Sequence, residues 1–187
     1  MIVLNSIDLL VSEHDNIKRV IKIVRKICFG LTKGMEVPYD DFAKVIEFIR
    51  NYADKYHHGK EEDMLFIEMN NELLDLIGEG PVQGMLIEHN FGRSLVIDLE
   101  MSLKAHKSGD EESIIDIIGN AIGYANLLTK HINKEDNMIY KYAKSNLKQE
   151  TLDRLDLEFK DFESREENIS TRDEYVEFVD ELEKKYK

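Results

Sequence analysis

Histidine and glutamate four residues apart occur twice in this chain, in phrases that match elsewhere too: His57-His-Gly-Lys-Glu61-Glu-Asp-Met-Leu-Phe66 and His131-Ile-Asn-Lys-Glu135-Asp-Asn-Met-Ile-Tyr140. Each follows a Glu-His pair at nearly equal distance, Glu13-His14 leading His57 by 43 residues and Glu88-His89 leading His131 by 42. On an α-helix, positions i and i+4 share a face, so each phrase presents an imidazole and a carboxylate side by side to one neighbour. His14, His57, Glu61, His89, His131 and Glu135 are thereby expected to converge from four segments on one buried centre. Burying four imidazoles and two carboxylates without a cation would cost several kcal/mol per unpaired charge, which a core of ordinary stability cannot absorb. A metal pair removes the conflict.

Imidazole and carboxylate without thiolate suit iron, manganese or zinc and exclude an all-oxygen cage for magnesium or calcium. If both glutamates bridge two six-coordinate ions that also share an oxo or hydroxo group, about two positions stay open to solvent, dioxygen, peroxide or nitric oxide. That points to a reactive or sensing centre. No separate catalytic acid, base or nucleophile is visible, because every strong chemical residue is a proposed ligand. His58, about 100° around a helix from His57, reads as a surface residue or one beside the ligands. His106 reads as exposed. Glu62, Asp136, Glu13 and Glu88 are either solvated or orient an imidazole. Lys60 and Lys134 fit helix-surface pairing, and Met64, Phe66, Met138 and Tyr140 fit the core.

Positioning these residues requires long helices, and the apolar spacing supplies them. Ile7, Leu10, His14, Ile17, Ile21, Val24 and Cys28 form one stripe. After a loop from Gly30 to Pro38, Tyr39-Asp40-Asp41 starts a second helix, whose stripe Phe42, Val45, Ile49, Tyr52, Tyr56 continues into His57 and Glu61. Gly78, Gly80 and Pro81 mark a break before a third helix carrying His89, and Lys107 to Asp110 a break before a fourth carrying His131 and Glu135. At ~1.5 Å per residue, about 18 residues from His14 to the first turn and about 19 back to His57 return the chain to the same height. The expected fold is all-α: an up-down-up-down four-helix bundle over residues 1–146, with residues 147–187 as a short helical extension packed on the bundle or on a partner subunit. Within that extension, Thr171-Arg-Asp-Glu174 reads as a capping box opening a last helix.

A net charge of −13 argues against nucleic acid and anionic membrane surfaces, where a basic stripe would be expected. The single cysteine, Cys28, rules out an intramolecular disulfide and fits a reducing compartment. No charged-then-apolar leader and no long apolar run are read, so a cytoplasmic location is expected.

The ordered set Glu13-His14, His57-x-x-x-Glu61-Glu62-x-x-Leu65-Phe66, Glu88-His89-x-x-Gly92-Arg93 and His131-x-x-x-Glu135 resembles the hemerythrin-like, HHE cation-binding proteins over roughly residues 7 to 145. The resemblance implies two non-haem iron ions, oxo- and carboxylate-bridged, with His14, His57, Glu61, His89, His131 and Glu135 as ligands. Oxygen-carrying members have a further histidine where this chain has Arg93. The chain is therefore more similar to the six-ligand members associated with nitric oxide or oxidative stress, and no long-lived oxygen adduct is expected. Two functions follow: a di-iron protein that binds or reduces dioxygen, peroxide or nitric oxide, or a non-enzymatic iron-holding or sensing module that signals to a partner protein.

Overall fold

A computed structural model describes residues 5–187; Met1–Leu4 of the expected bundle unit lie outside the described residues. Among the described residues every regular element is helical. Helix α1 (Ser6–Leu31) is capped by Asn5, whose side chain accepts from the Asp8 backbone N–H, and it buries the stripe read from Ile7 to Cys28. The chain turns through Gly34, which has φ 86°, and α2 (Tyr39–Phe48) begins directly after Pro38. The helix then widens into π-helical turns over Ile49–His58 and Glu61–Leu65 before resuming as α3 (Phe66–Ile77). Gly78, at φ 67°, separates it from α4 (Gly80–Lys107), and Gly109, at φ 102°, separates α4 from α5 (Ser113–Lys134). A third π-helical stretch, Glu135–Ile139, links α5 to α6 (Tyr140–Asn146).

All three wide turns fall at the His-x-x-x-Glu phrases. Such turns close i→i+5 bonds in place of i→i+4 and are common at functional sites. The layer of candidate ligands also divides the core. One apolar cluster contains Ile17, Tyr56, Val96 and Leu128, and a second contains Leu10, Leu65, Met85 and Ile139. Each of the four segments passes from one cluster to the other at or just after its histidine, as a single layer requires. Cys28 is buried and free.

The last two helices, α7 (Gln149–Ser164) and α8 (Glu166–Lys185), pack against α1 and the π-helical stretches of this same chain. Leu155, Phe159, Tyr175, Val179 and Leu182 are the buried anchors. The expected helix start at Thr171 is corrected: α8 already begins at Glu166, and the Thr171 hydroxyl donates back to the Glu167 carbonyl rather than capping. No helix among the described residues is long and apolar enough to cross a membrane.

Candidate metal centre

The four expected ligand histidines are at most 2% exposed, and each directs its Nδ1–H at a carboxylate. His14 donates to Asp136 (2.7 Å), His57 to Glu13 (2.7 Å), His89 to Glu62 (2.6 Å) and His131 to Glu88 (3.0 Å). A carboxylate accepts only, so these contacts fix the tautomer and aim every Nε2 inward. The Nε2 atoms of His14 and His57 stand 2.9 Å apart, and those of His89 and His131 3.0 Å apart. Two lone pairs facing each other at this distance need a proton or a cation between them.

Glu61 and Glu135 complete the layer. Both are fully buried, and Glu61 Oε2 and both oxygens of Glu135 have no hydrogen-bond partner. Imidazole nitrogens of His14, His89 and His131 lie 3.0 to 3.9 Å from these oxygens, close yet not aligned to bond them. Orphaned carboxylate oxygens in a dry core carry a desolvation cost that a coordinated cation relieves. The donor set thus fits a metal pair, with His14, His57 and Glu135 forming one cluster of donors and Glu61, His89 and Glu135 another.

Without metal, protons fill the same gap. Burial, reinforced by the Glu135 charge, pushes Glu61 well above the usual carboxylate range. Burial would raise Glu135 as well, but the imidazoles of His131, His14 and His89 hold it well below that range. Burial opposes a charge on His14, and the carboxylates of Asp136 and Glu135 overcome it, so its pKa rises; burial carries His57 the other way. His14 is thereby the more basic of the two paired imidazoles, and Glu61 the more basic of the two central carboxylates.

Several neighbours depart from the sequence reading. Tyr140 is core as expected, but its hydroxyl also donates to Glu61. Met138, expected in the core, is 64% exposed, on the outer side of its wide turn. His106 is half-buried and bonds the Tyr39 hydroxyl at 2.6 Å. Lys60 is not on the surface: it is fully buried between Glu13 and Glu163. Arg93 turns its guanidinium to Asp54 and Glu62.

Of the two places the spacing left open to His58, the structure shows the one beside the ligand candidates. The residue is buried, with its ring 3.8 Å from that of His89 and nearly parallel to it, and its Nδ1 faces Asp54 at 3.3 Å. Together with His89 and His131 it forms a three-imidazole cluster. The 100° rotation of a regular α-helix does not hold in the π-helical turn that carries His57 and His58, which is why both adjacent residues face inward. The adjacent His-His pair is the only trace of this in the sequence.

Residues 5–143 match the family described as the hemerythrin HHE cation binding domain, and the chain belongs to that family. No curated protein and no solved structure matches it.

Proposed function

We propose that this chain is a non-haem di-iron protein that binds or reduces dioxygen, peroxide or nitric oxide, in a stress-response or sensing role in the cytoplasm. The iron pair would sit in an up-down-up-down four-helix bundle formed by residues 1–146, with residues 147–187 as the extension. One observation carries the reading: four buried imidazoles, each held at Nδ1 by its own carboxylate, aim Nε2 at the orphaned oxygens of two buried glutamates. His14, His57, His89 and His131 would be terminal ligands, and Glu61 and Glu135 the bridging ones. An iron pair supplies one-electron redox change and exchangeable positions for a small ligand, manganese offers related chemistry, and zinc offers none of the redox part.

The protein's share is positional. Glu13, Glu62, Glu88 and Asp136 fix the imidazole planes, Tyr140 orients Glu61, and the apolar clusters on either side limit water. Because Arg93 is engaged by Asp54 and Glu62, it donates nothing to the layer, and stable reversible oxygenation is not expected. A net charge of −13 argues against nucleic acid and anionic membrane as partners.

The test is metal analysis of protein produced with iron available, with optical spectra of the reduced form before and after exposure to air. Two irons per chain and an air-induced spectral change are expected. A fully loaded preparation with one ion per chain overturns the dinuclear reading, and zinc in both positions overturns the redox one.

A second reading, an iron-holding or sensing module, is favoured by one contact. Glu163 of α7 bonds both Lys60 and the Tyr56 hydroxyl, so the extension reaches a residue that holds the acceptor of His57. Reversible ligand binding accompanied by movement of α7, without turnover, would favour this module.

A further inference from the structure

A cavity of about 210 Å³ lies beside the His89 and His131 half of the centre. His58, His89 and His131 line its buried end, and Ile49, Val96, Ile97 and Leu128 line its walls, Ile97 being 52% exposed toward the mouth. Since a water molecule takes up about 30 Å³ of liquid, this is room for roughly five to seven heavy atoms rather than for two. The volume alone makes a bare diatomic a poor fit.

Charge narrows the class. Besides the imidazoles, four charged side chains border the space, and each already has an opposite partner: Arg93 with Asp54 and Glu62, Arg50 with Glu100, and Glu88 with Lys134. No uncommitted positive charge is left among them for an anion. At the buried end, His89 and His131 use both ring nitrogens, on Glu62, Glu88 and each other. His58 differs. Its Nδ1 faces Asp54, whereas its Nε2 makes no hydrogen bond among the described residues, although the residue is only 6% exposed. The residue is buried, but this nitrogen opens onto the cavity and is free to accept from a molecule inside it.

We propose that this cavity binds a neutral small molecule with a compact alkyl body and one O–H end, the body against Ile49, Val96, Ile97 and Leu128 and the O–H on His58 Nε2. The inference rests on the metal-centre reading only in treating the chamber as an approach to the metals. Among the ligands proposed above, it favours an alkyl hydroperoxide over dioxygen or nitric oxide.

The probe is tert-butanol, an unreactive molecule of this shape, titrated into the full-length chain in its zinc-loaded and metal-free forms while methyl NMR resonances are followed. Saturable shifts at Val96, Ile97 and Leu128 are expected in both forms, with sodium azide leaving these methyls in place. Val96→Phe should fill the chamber and weaken binding by about tenfold or more. Ile97→Trp, at the half-exposed mouth where the fold is not at risk, should weaken it as well. Absence of saturation, equal saturation in both variants, or shifts caused by azide and not by tert-butanol would each overturn the proposal. Because neither form contains iron, a chain that proves unable to hold an iron pair would sink the redox function and leave this result standing.

Discussion

Lys60 reaches Glu163 across 103 positions of sequence, with 2.6 Å between Nζ and Oε1, while the same ammonium also bonds Glu13, the acceptor of His57. It lies 3.9 Å from the centre of the Tyr56 ring and is wholly buried. Lys134 occupies the matching place in the second repeat and bonds Glu88, the acceptor of His131, yet its side chain is 39% exposed. The difference is α7, which covers the first repeat and leaves the second open.

Substituting these two lysines should therefore give unequal results. Lys60→Met takes the ammonium away from buried Glu13, while half-buried Glu163 keeps the Tyr56 hydroxyl, and the loss is expected to cost about 3–5 kcal/mol. Lys134→Met breaks a solvent-screened pair and is expected to cost about 0–1 kcal/mol. Urea denaturation of the metal-free proteins measures both, and similar losses would show that α7 does not seal the first repeat.

The carboxylates behind the imidazoles should matter to metal affinity without touching metal. Asp136→Asn and Glu62→Gln keep the shape but weaken the acceptor for His14 and His89. Loss of such a partner typically lowers affinity by about 10–100-fold. Competition against a coloured chelator should show this loss with helicity intact. Unchanged affinity would mean that the Nδ1 contacts are incidental.

The repeat made the convergence of the six residues legible, because nearly equal spacing on two hairpins sets both height and face. The Nδ1 acceptors were half legible: Glu13, Glu62, Glu88 and Asp136 adjoin ligands, but sequence alone leaves them the choice of facing solvent. His58 was left between two places and Lys60 was misplaced, for different reasons. His58 was placed by the rotation of a regular helix, and the wide turn at Ile49–His58 changes that rotation. Lys60 was read as equivalent to Lys134 because the repeats match; the helix that buries it begins at Gln149 and has no counterpart over the second repeat. Thr171 matched a capping pattern inside a helix that had already begun.

On the proposed ligand set, Glu61→Ala and Glu135→Ala should each remove more metal than His58→Ala, since they delete the unpartnered buried carboxylates, whereas His58 stacks on His89. Iron per chain after dialysis reads this directly. Loss from His58→Ala equal to that from the glutamate variants would make His58 a ligand and displace it from the chamber floor.

Metal removal should destabilise the protein, and Glu61→Gln should separate the two states. Cations that bind only the folded chain add about 2.7 kcal/mol at a hundred times Kd, and for a chain of this size that corresponds to a Tm rise of about 5–10 °C. Glutamine has the shape of the protonated Glu61 and, like it, no charge; its carbonyl can still accept from Tyr140. The metal-free Glu61→Gln protein should therefore melt within a few degrees of the metal-free parent. Adding iron should raise the parent's Tm and raise the variant's far less, because an uncharged amide cannot replace a bridging carboxylate. Calorimetry of all four samples decides it. An equal rise in parent and variant would show that Glu61 is not a ligand, and a large drop in the metal-free variant would show that Glu61 is ionised there and serves the fold itself.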